Sequence, residues 1–349
     1  MLAVLAGCAT VPQPVTPSPV VHAQILRHIP ERVTDRSGWA GDIQTAFATR
    51  DIAPNDENIC AVLAVIEQES GYQADPAVAN LPAIAGGEIK RRAAALHVPG
   101  FMVDAALKIR STDGRSYADR LKGVRTEREL SGVYEDLIGR VPLGHRLFAG
   151  HNPVQTGGPM QVSIPFAESM ARGYPYPVSG SIRDEVFTRR GGLYFGIVHL
   201  LGYPTPYTRK VHRFADFNAG WYASRNAAFQ NAVAVASGRK LALDGDVLNP
   251  GAPLDRPGET EQAVRSLAGE LAMDNAQIRS ALKRADRLDF NDSRLFTQVF
   301  VLAERRAGKA LPREMLPGIK LESPKISREL TTAWFATRVN DRYQRCMTR

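Results

Sequence analysis

Apolar residues recur at helical spacing along most of the chain. Residues 55–70, 190–202 and 292–308 each place aliphatic or aromatic side chains three and four positions apart, which is the period of one helix face. Clusters of Pro and Gly, notably at 249–259, separate such blocks. Alternating strand patterns are rare, and only 240–248 (KLALDGDVL) is typical of a small hairpin. The pattern therefore predicts a mainly α protein.

Composition and charge narrow the possible partners. Of 349 residues, 44% are hydrophobic and 23% charged, so the chain can bury a substantial core. A net charge of +8 favours polyanions such as nucleic acid, anionic lipid or carboxylate-bearing cell-wall polymers. The basic residues form no platform interleaved with aromatic residues, so nucleic acid is not an expected partner. No phosphate-binding glycine loop or zinc-ligand spacing occurs, so we expect neither a cofactor nor a metal ion.

The N-terminus resembles a bacterial lipoprotein signal. A short apolar run ends in Leu-Ala-Gly-Cys at Cys8, which predicts that residues 1–7 are a removed signal segment and that Cys8 carries lipid. Residues 1–7 hold no Lys or Arg, which favours a true start codon further upstream. Four prolines in 8–20 predict an extended tether. By resemblance to Gram-negative lipoproteins, Ala9 after the lipidated cysteine predicts sorting to the outer membrane, facing the periplasm or the cell surface.

The other two cysteines, Cys60 and Cys346, leave two alternatives open. An oxidising periplasm permits a disulfide between them, and closing so long a loop would stabilise the fold by roughly 2–5 kcal/mol. Two buried free thiols are the other possibility.

One carboxyl group continues the buried stripe of the segment "ICAVLAVIEQESGY". Glu69 lies three residues after Ile66 and seven after Val62, whereas Glu67 lies on the flank. Burial on an apolar face raises the pKa of a carboxyl group and keeps it protonated, which is the state a general acid needs. Glu69 is therefore the candidate acid, and its alternative is a structural carboxylate at a helix end before Gly71.

Two later segments, 156–163 (TGGPMQVS) and 214–226 (FADFNAGWYASRN), follow Glu69-Ser70 in order. Together the three resemble the motifs of lytic transglycosylases in the goose-type lysozyme-like superfamily. Gly158, Met160 and Gln161 match the second motif, and Asn218 begins the match to the third. The whole chain also resembles a family of bacterial outer-membrane lipoproteins of unknown function that is built around this core.

The resemblance implies a lysozyme-like domain over 21–235, with a long insertion at 73–156. It implies cleavage of peptidoglycan glycan strands between N-acetylmuramic acid and N-acetylglucosamine, with Glu69 as single acid and base and 1,6-anhydro ends as product. A helical extension over 236–349 would pack on this domain. The implied substrate-binding residues are Ser70, Gly158, Met160, Gln161, Phe217, Asn218 and Tyr222.

Departures from the family pattern keep other functions open. Phe217 stands where the family has Tyr, whose hydroxyl lies near the catalytic carboxyl. Loss of that hydrogen bond would cost about 1.5–3 kcal/mol of stabilisation of the charged state, unless the hydroxyl of Tyr222 replaces it. The insertion would form a lid, reshape the cleft or block it. A non-catalytic peptidoglycan-binding or partner-binding lipoprotein is therefore the alternative. A third hypothesis is simple hydrolysis, in which Asp216 holds the water molecule that takes the place of the 6-hydroxyl.

Overall fold

Helices carry nearly all regular backbone in this computed structural model, which describes residues 18–140, 143, 146, 148–249, 251–321 and 330–349. The mainly α prediction is confirmed. The α-helices in the described ranges are α1 (Pro19–His28), α2 (Arg36–Thr49), α3 (Asp56–Glu69), α4 (Leu81–Ala95), α5 (Gly100–Leu107), α6 (Tyr117–Gly123), α7 (Glu127–Gly139), α8 (Ile164–Ser169), α9 (Ile182–Val186), α10 (Arg189–Leu201), α11 (Lys210–Ala219), α12 (Ala223–Ser237), α13 (Glu259–Arg265), α14 (Ala268–Leu271), α15 (Asn275–Leu282), α16 (Arg294–Ala307) and α17 (Thr332–Met347).

Two short 3-10 helices (Ala149–His151 and Leu288–Phe290) and two antiparallel ribbons of two residues per strand are the other regular elements in the described part of the chain. Strand β1 (Thr156–Gly157) pairs with β2 (Val162–Ser163), and β3 (Lys320–Leu321) pairs with β4 (Leu330–Thr331). The first ribbon contains the predicted second motif in its connecting turn.

The hairpin predicted at 240–248 is wrong, because this segment has no strand. The side chain of Gln230 takes the place of a ladder: its Oε1 accepts from the amide of Gly245 at 2.8 Å, and its Nε2 donates to Asp244 Oδ1 at 2.8 Å. Gly245 has φ of +91° and lies against Ala223, where a Cβ atom would come within 3.0 Å of backbone atoms. The local alternation is therefore a loop pinned to α12.

Helix α3 forms the centre of the first hydrophobic core. Its N-terminus is capped by Asn55, whose side chain accepts from the amide of Asn58, and its acidic first turn suits the helix dipole. All residues from 59 to 66 are buried. A helix that is apolar on every side needs neighbours on every side. Helices α1, α10 and α17 provide contacts around it.

The last helix belongs to this first core, although it lies in the predicted C-terminal extension. Phe335, Ala336, Val339 and Tyr343 of α17 are buried there. A second core instead joins α12 to helices α13–α16. The predicted boundary at residue 235 is therefore wrong as a division between cores, since α12 packs into the second and the chain returns to the first at α17.

A disulfide joins the first core across nearly the whole chain. Cys60 in α3 and Cys346 in α17 are bonded, with their Cα atoms 5.5 Å apart. Of the two alternatives, the structure therefore contains the disulfide and not two free thiols.

At the N-terminus, α1 begins at Pro19, so the last two residues of the predicted tether are helical. Proline fits this place because it lacks only an N–H group that the first helical turn leaves unbonded. The predicted signal segment and the lipidated Cys8 lie outside the described residues. Among those described, no helix combines the length and apolarity needed to cross a bilayer.

Removing the bridge should destabilise the protein by about 3–5 kcal/mol, because the closed loop spans 286 positions. The measurement is guanidinium unfolding of the Cys8→Ser chain against the same chain with Cys60→Ala and Cys346→Ala. Reduction of the Cys8→Ser chain should reproduce the loss. Two titratable thiols in the unreduced, unfolded Cys8→Ser protein would disprove the bridge.

Candidate functional site

Glu69 is the last residue of α3, at the point where this helix leaves the core. Residues 59–66 are buried, whereas Glu67, Gln68 and Glu69 are half-buried. The prediction that Glu69 continues the buried stripe is therefore only partly correct. A carboxyl group here combines a rigid backbone with partial access to solvent.

Glu67 and Ser70, which flank Glu69 at the end of α3, both form hydrogen bonds within the protein. Glu67 Oε1 accepts from Arg32 Nη2 at 3.1 Å, so this carboxylate is committed to an ion pair. Ser70 ends the helix: its hydroxyl and its amide both donate to the carbonyl of Ile66, at 3.1 and 3.0 Å. The role implied for Ser70, orienting the acid or the substrate, is therefore replaced by helix termination.

Three helices define the two ends of the first core. The disulfide joins α3 near its start to the last turn of α17, and the two helices pack along each other, so they run antiparallel. Lys210 at the start of α11 contacts Asn58 Oδ1 at 2.9 Å, so α11 starts at the same end as α3. The C-termini of α3 and α11 therefore lie at the end where α17 begins.

This end collects Glu69, Asn218 and Thr332. Thr332 Oγ1 donates to Asn218 Oδ1 at 2.9 Å, which ties the end of α11 to the start of α17. At about 1.5 Å of rise per residue, Glu69 lies about 14 Å along α3 from Cys60, and Thr332 about 21 Å along α17 from Cys346. The carboxyl and the exposed amide thus come from separate helices to one end of the core. We call this end the Glu69 end.

The turn between β1 and β2 is built for packing. Gly158 has φ of +73°, and a Cβ atom there would lie 2.1 Å from the carbonyl oxygen of Val186. Met160 is fully buried against Gly196 of α10. The protein's own α9–α10 region occupies the space beside Gly158 and Met160, so internal packing accounts for both residues, and their implied roles at a glycan stay predictions.

Gln161 is half-buried and closes the same turn. Its Nε2 donates to the carbonyl of Gly158, and its Oε1 accepts from Thr156 Oγ1, both at 3.3 Å. Its φ of +49° is unusual for a residue with a side chain. These long local bonds hold the turn and leave Gln161 at the surface.

An aromatic group surrounds Phe217, which is itself buried. The ring of His199 lies 5.0 Å from Phe217, 4.5 Å from Phe166 and 6.4 Å from Trp221. Burial lowers the pKa of His199 to about 4, and its Nδ1 has no hydrogen-bond partner among the described residues. Phe166 and Trp221 are half-exposed. The aromatic residues at 217, 221 and 222 could be recognised in the sequence. The position of His199 at the centre of the group could not.

Tyr222 does not replace the hydroxyl that Phe217 lacks. It is buried, and its hydroxyl donates to the carbonyl of Pro204 at 3.0 Å. Asp216 is fully buried and accepts hydrogen bonds from the hydroxyls of Tyr203 and Tyr207 and from the amide of Ser224. Burial raises the pKa of Asp216. The hydrolytic role considered for Asp216 is therefore wrong, because no bulk water reaches this carboxyl.

The insertion forms one wall of a cavity of 660 Å³ beside the first ribbon. Helix α7 contributes Arg128 and Glu135, and the opposite wall contributes Glu168, Arg183 and Phe187. The lining of this cavity carries charged side chains of both signs.

Comparison with known proteins identifies the family. A family model described as a protein of unknown function (DUF1615) matches residues 32–349. The chain belongs to this family. It is 55% identical over 348 residues, 99% of this chain and 95% of the relative, to the uncharacterized protein YaiW of Escherichia coli (strain K12). No solved structure matches the chain.

The lowered pKa of half-buried His199 predicts that the protein loses stability as the pH falls. Below pH 6.5 the unfolded chain binds a proton at this residue that the folded chain refuses until about pH 4. The free energy of unfolding should fall by up to about 1.4 kcal/mol per pH unit over this range. Unfolding by denaturant at pH 7 and pH 5 measures it.

In that experiment, His199→Phe should lose about 2 kcal/mol of the pH dependence between pH 7 and pH 5. His97→Asn, at an exposed histidine with positive φ, is the matched control and should keep it. An unchanged slope in His199→Phe would contradict the assignment.

Proposed function

We propose that the chain is a peptidoglycan-directed envelope lipoprotein with a lysozyme-like core, and that it acts as a lytic transglycosylase. The observation that carries the proposal is the Glu69 end. There a half-buried carboxyl on a rigid helix shares one end of the core with an exposed amide, Asn218, from a second helix. The ordered resemblance of three motifs supports it.

The proposed reaction uses one carboxyl group and the substrate's own hydroxyl. Protonated Glu69 donates to the oxygen of the bond between N-acetylmuramic acid and N-acetylglucosamine, and that bond breaks. The neighbouring N-acetyl group stabilises the cationic carbon. Glu69, now a carboxylate, then takes the proton of the muramyl 6-hydroxyl as its oxygen attacks that carbon. Glu69 returns to its acid form, and the product carries a 1,6-anhydro ring.

Other groups at the Glu69 end fit recognition of a glycan. Asn218 Oδ1 already accepts from Thr332, which leaves the Nδ2 group of Asn218 to donate to an acetamido oxygen. The start of α17 brings the positive end of a helix dipole to the negative ends of α3 and α11. Half-exposed Phe166 and Trp221 offer ring faces for the C–H faces of sugars.

A non-catalytic glycan-binding lipoprotein is the second candidate, and specific observations favour it. Phe217 has no hydroxyl, and that of Tyr222 is bonded to Pro204. If the acid lacks this hydrogen bond, the reaction slows by one to two decades. The same cleft would then serve to hold glycan strands.

The envelope location remains part of the proposal. Lipid on Cys8 would anchor the protein to the outer membrane, and the Pro-rich segment after it would place the folded part near peptidoglycan. Palmitate labelling of the chain and of Cys8→Ser tests the anchor separately from the chemistry.

Glu69→Gln should reduce release of anhydro-muropeptides from purified sacculi by at least about 100-fold, because the single acid and base is lost. Glu67→Gln, two residues earlier on the same helix, is the matched control and should keep most activity. Mass spectrometry of the soluble products is the measurement, with the Cys8→Ser chain as the parent protein.

The products separate the candidates. Products with reducing ends and no anhydro sugar would show that the protein is a hydrolase and not a transglycosylase. No product from the parent, with retained sedimentation on sacculi, would favour the binding function. No product and no sedimentation would reject both.

A further inference from the structure

Exposed apolar side chains concentrate where α4 passes into α5, within the insertion. All nine residues from 94 to 102 (AALHVPGFM) are exposed. Their large side chains are uncovered to an unusual degree: Phe101 is 73% exposed, Leu96 54% and Met102 52%. We call residues 94–102 the apolar tip. Exposed apolar patches of this kind mark contact surfaces.

The apolar tip does little for the fold itself. Within α5 only Val103 is buried. Leu96 also lines a cavity of 260 Å³ with Ile89 and Phe148, so the apolar surface continues from the tip towards the insertion's interior. Exposure of the Phe101 and Met102 side chains to water is energetically unfavourable and does not stabilise the fold. This indicates that a membrane or another molecule covers them.

Positive charge flanks the tip. Lys90, Lys108 and Arg110 are exposed, and none forms an ion pair within the part of the chain that the structure describes. By contrast, neighbouring Arg91 and Arg92 are both paired with Glu88. Residues 81–123 hold eight Lys and Arg against four Asp and Glu, so half of the chain's net +8 resides there.

We propose that the apolar tip inserts into the headgroup region of a bilayer that contains anionic phospholipid. Phe101, Met102 and Leu96 enter the boundary between headgroups and acyl chains, and the flanking cations bind lipid phosphates. Apolar side chains rimmed by Lys and Arg are the pattern of interfacial membrane contacts. Because these cations form no ion pair within the described part of the chain, they favour a surface with many negative charges, such as an anionic bilayer, over a protein surface with few acidic residues. This site is independent of glycan cleavage and of lipid on Cys8.

Vesicle co-sedimentation tests the proposal with the full chain carrying Cys8→Ser, so that no acyl chain contributes. Vesicles of phosphatidylethanolamine with about 30% phosphatidylglycerol are compared with pure phosphatidylcholine, at about 0.1 M and 0.5 M salt, between which the Debye length falls about twofold. We expect at least tenfold stronger binding to the anionic vesicles at low salt, and a loss at high salt.

Variants separate insertion from charge attraction. Phe101→Ser with Met102→Ser should lower binding at least tenfold, and Lys108→Gln with Arg110→Gln should lower it several-fold at low salt only. Val301→Ser, on α16 and 51% exposed, is the matched control and should bind as the parent. The fluorescence of Phe101→Trp should shift to the blue on anionic vesicles, whereas that of Val301→Trp should not.

Three outcomes would overturn the proposal. The parent does not bind anionic vesicles, or the double serine variant binds as well as the parent. Alternatively, Phe101→Ser with Met102→Ser abolishes a concentration-dependent dimer seen in sedimentation velocity while vesicles stay unbound, which assigns the tip to self-association.

Discussion

Helix α3 is buried on every side over residues 59–66, and one of those sides comes from the far end of the chain. That contact, the antiparallel packing of α17 against α3, buries one side of α3 and places its C-terminal end, which carries Glu69, beside the start of α17. It also brings Thr332 to Asn218. Apolar burial drives the packing, and the bridge from Cys60 to Cys346 holds its register. The candidate site therefore depends on a contact between two helices that are far apart in the sequence.

Much of the helical architecture could be predicted from the sequence, because helix periodicity is a local property. Helices α3, α10 and α16 follow their apolar repeats. The partner of each apolar face could not be predicted in this way. The repeat in α17 shows that one face is buried, but it does not say that the face belongs to the first core. The division between the two cores was missed for that reason.

The candidate site shows the limits of a motif match. Glu69 could be singled out from its position on the helix, and Asn218 from the resemblance. Gly158 and Met160 have the expected identity but pack against α9 and α10, since a glycine or a methionine serves a close backbone contact as well as a ligand. Asp216 is bonded to two tyrosines that lie nine and thirteen residues before it. Tertiary neighbours decided each of these roles.

Closure of the first core by α17 has a consequence for how the protein forms. Until the sixteen residues of α17 are made, α3 has an open apolar side and Cys60 has no partner. Non-local contacts of this span are slow to form, and incompletely folded chains expose surfaces that aggregate. Formation of the Cys60–Cys346 bond therefore comes late in folding, after the core that it links has assembled.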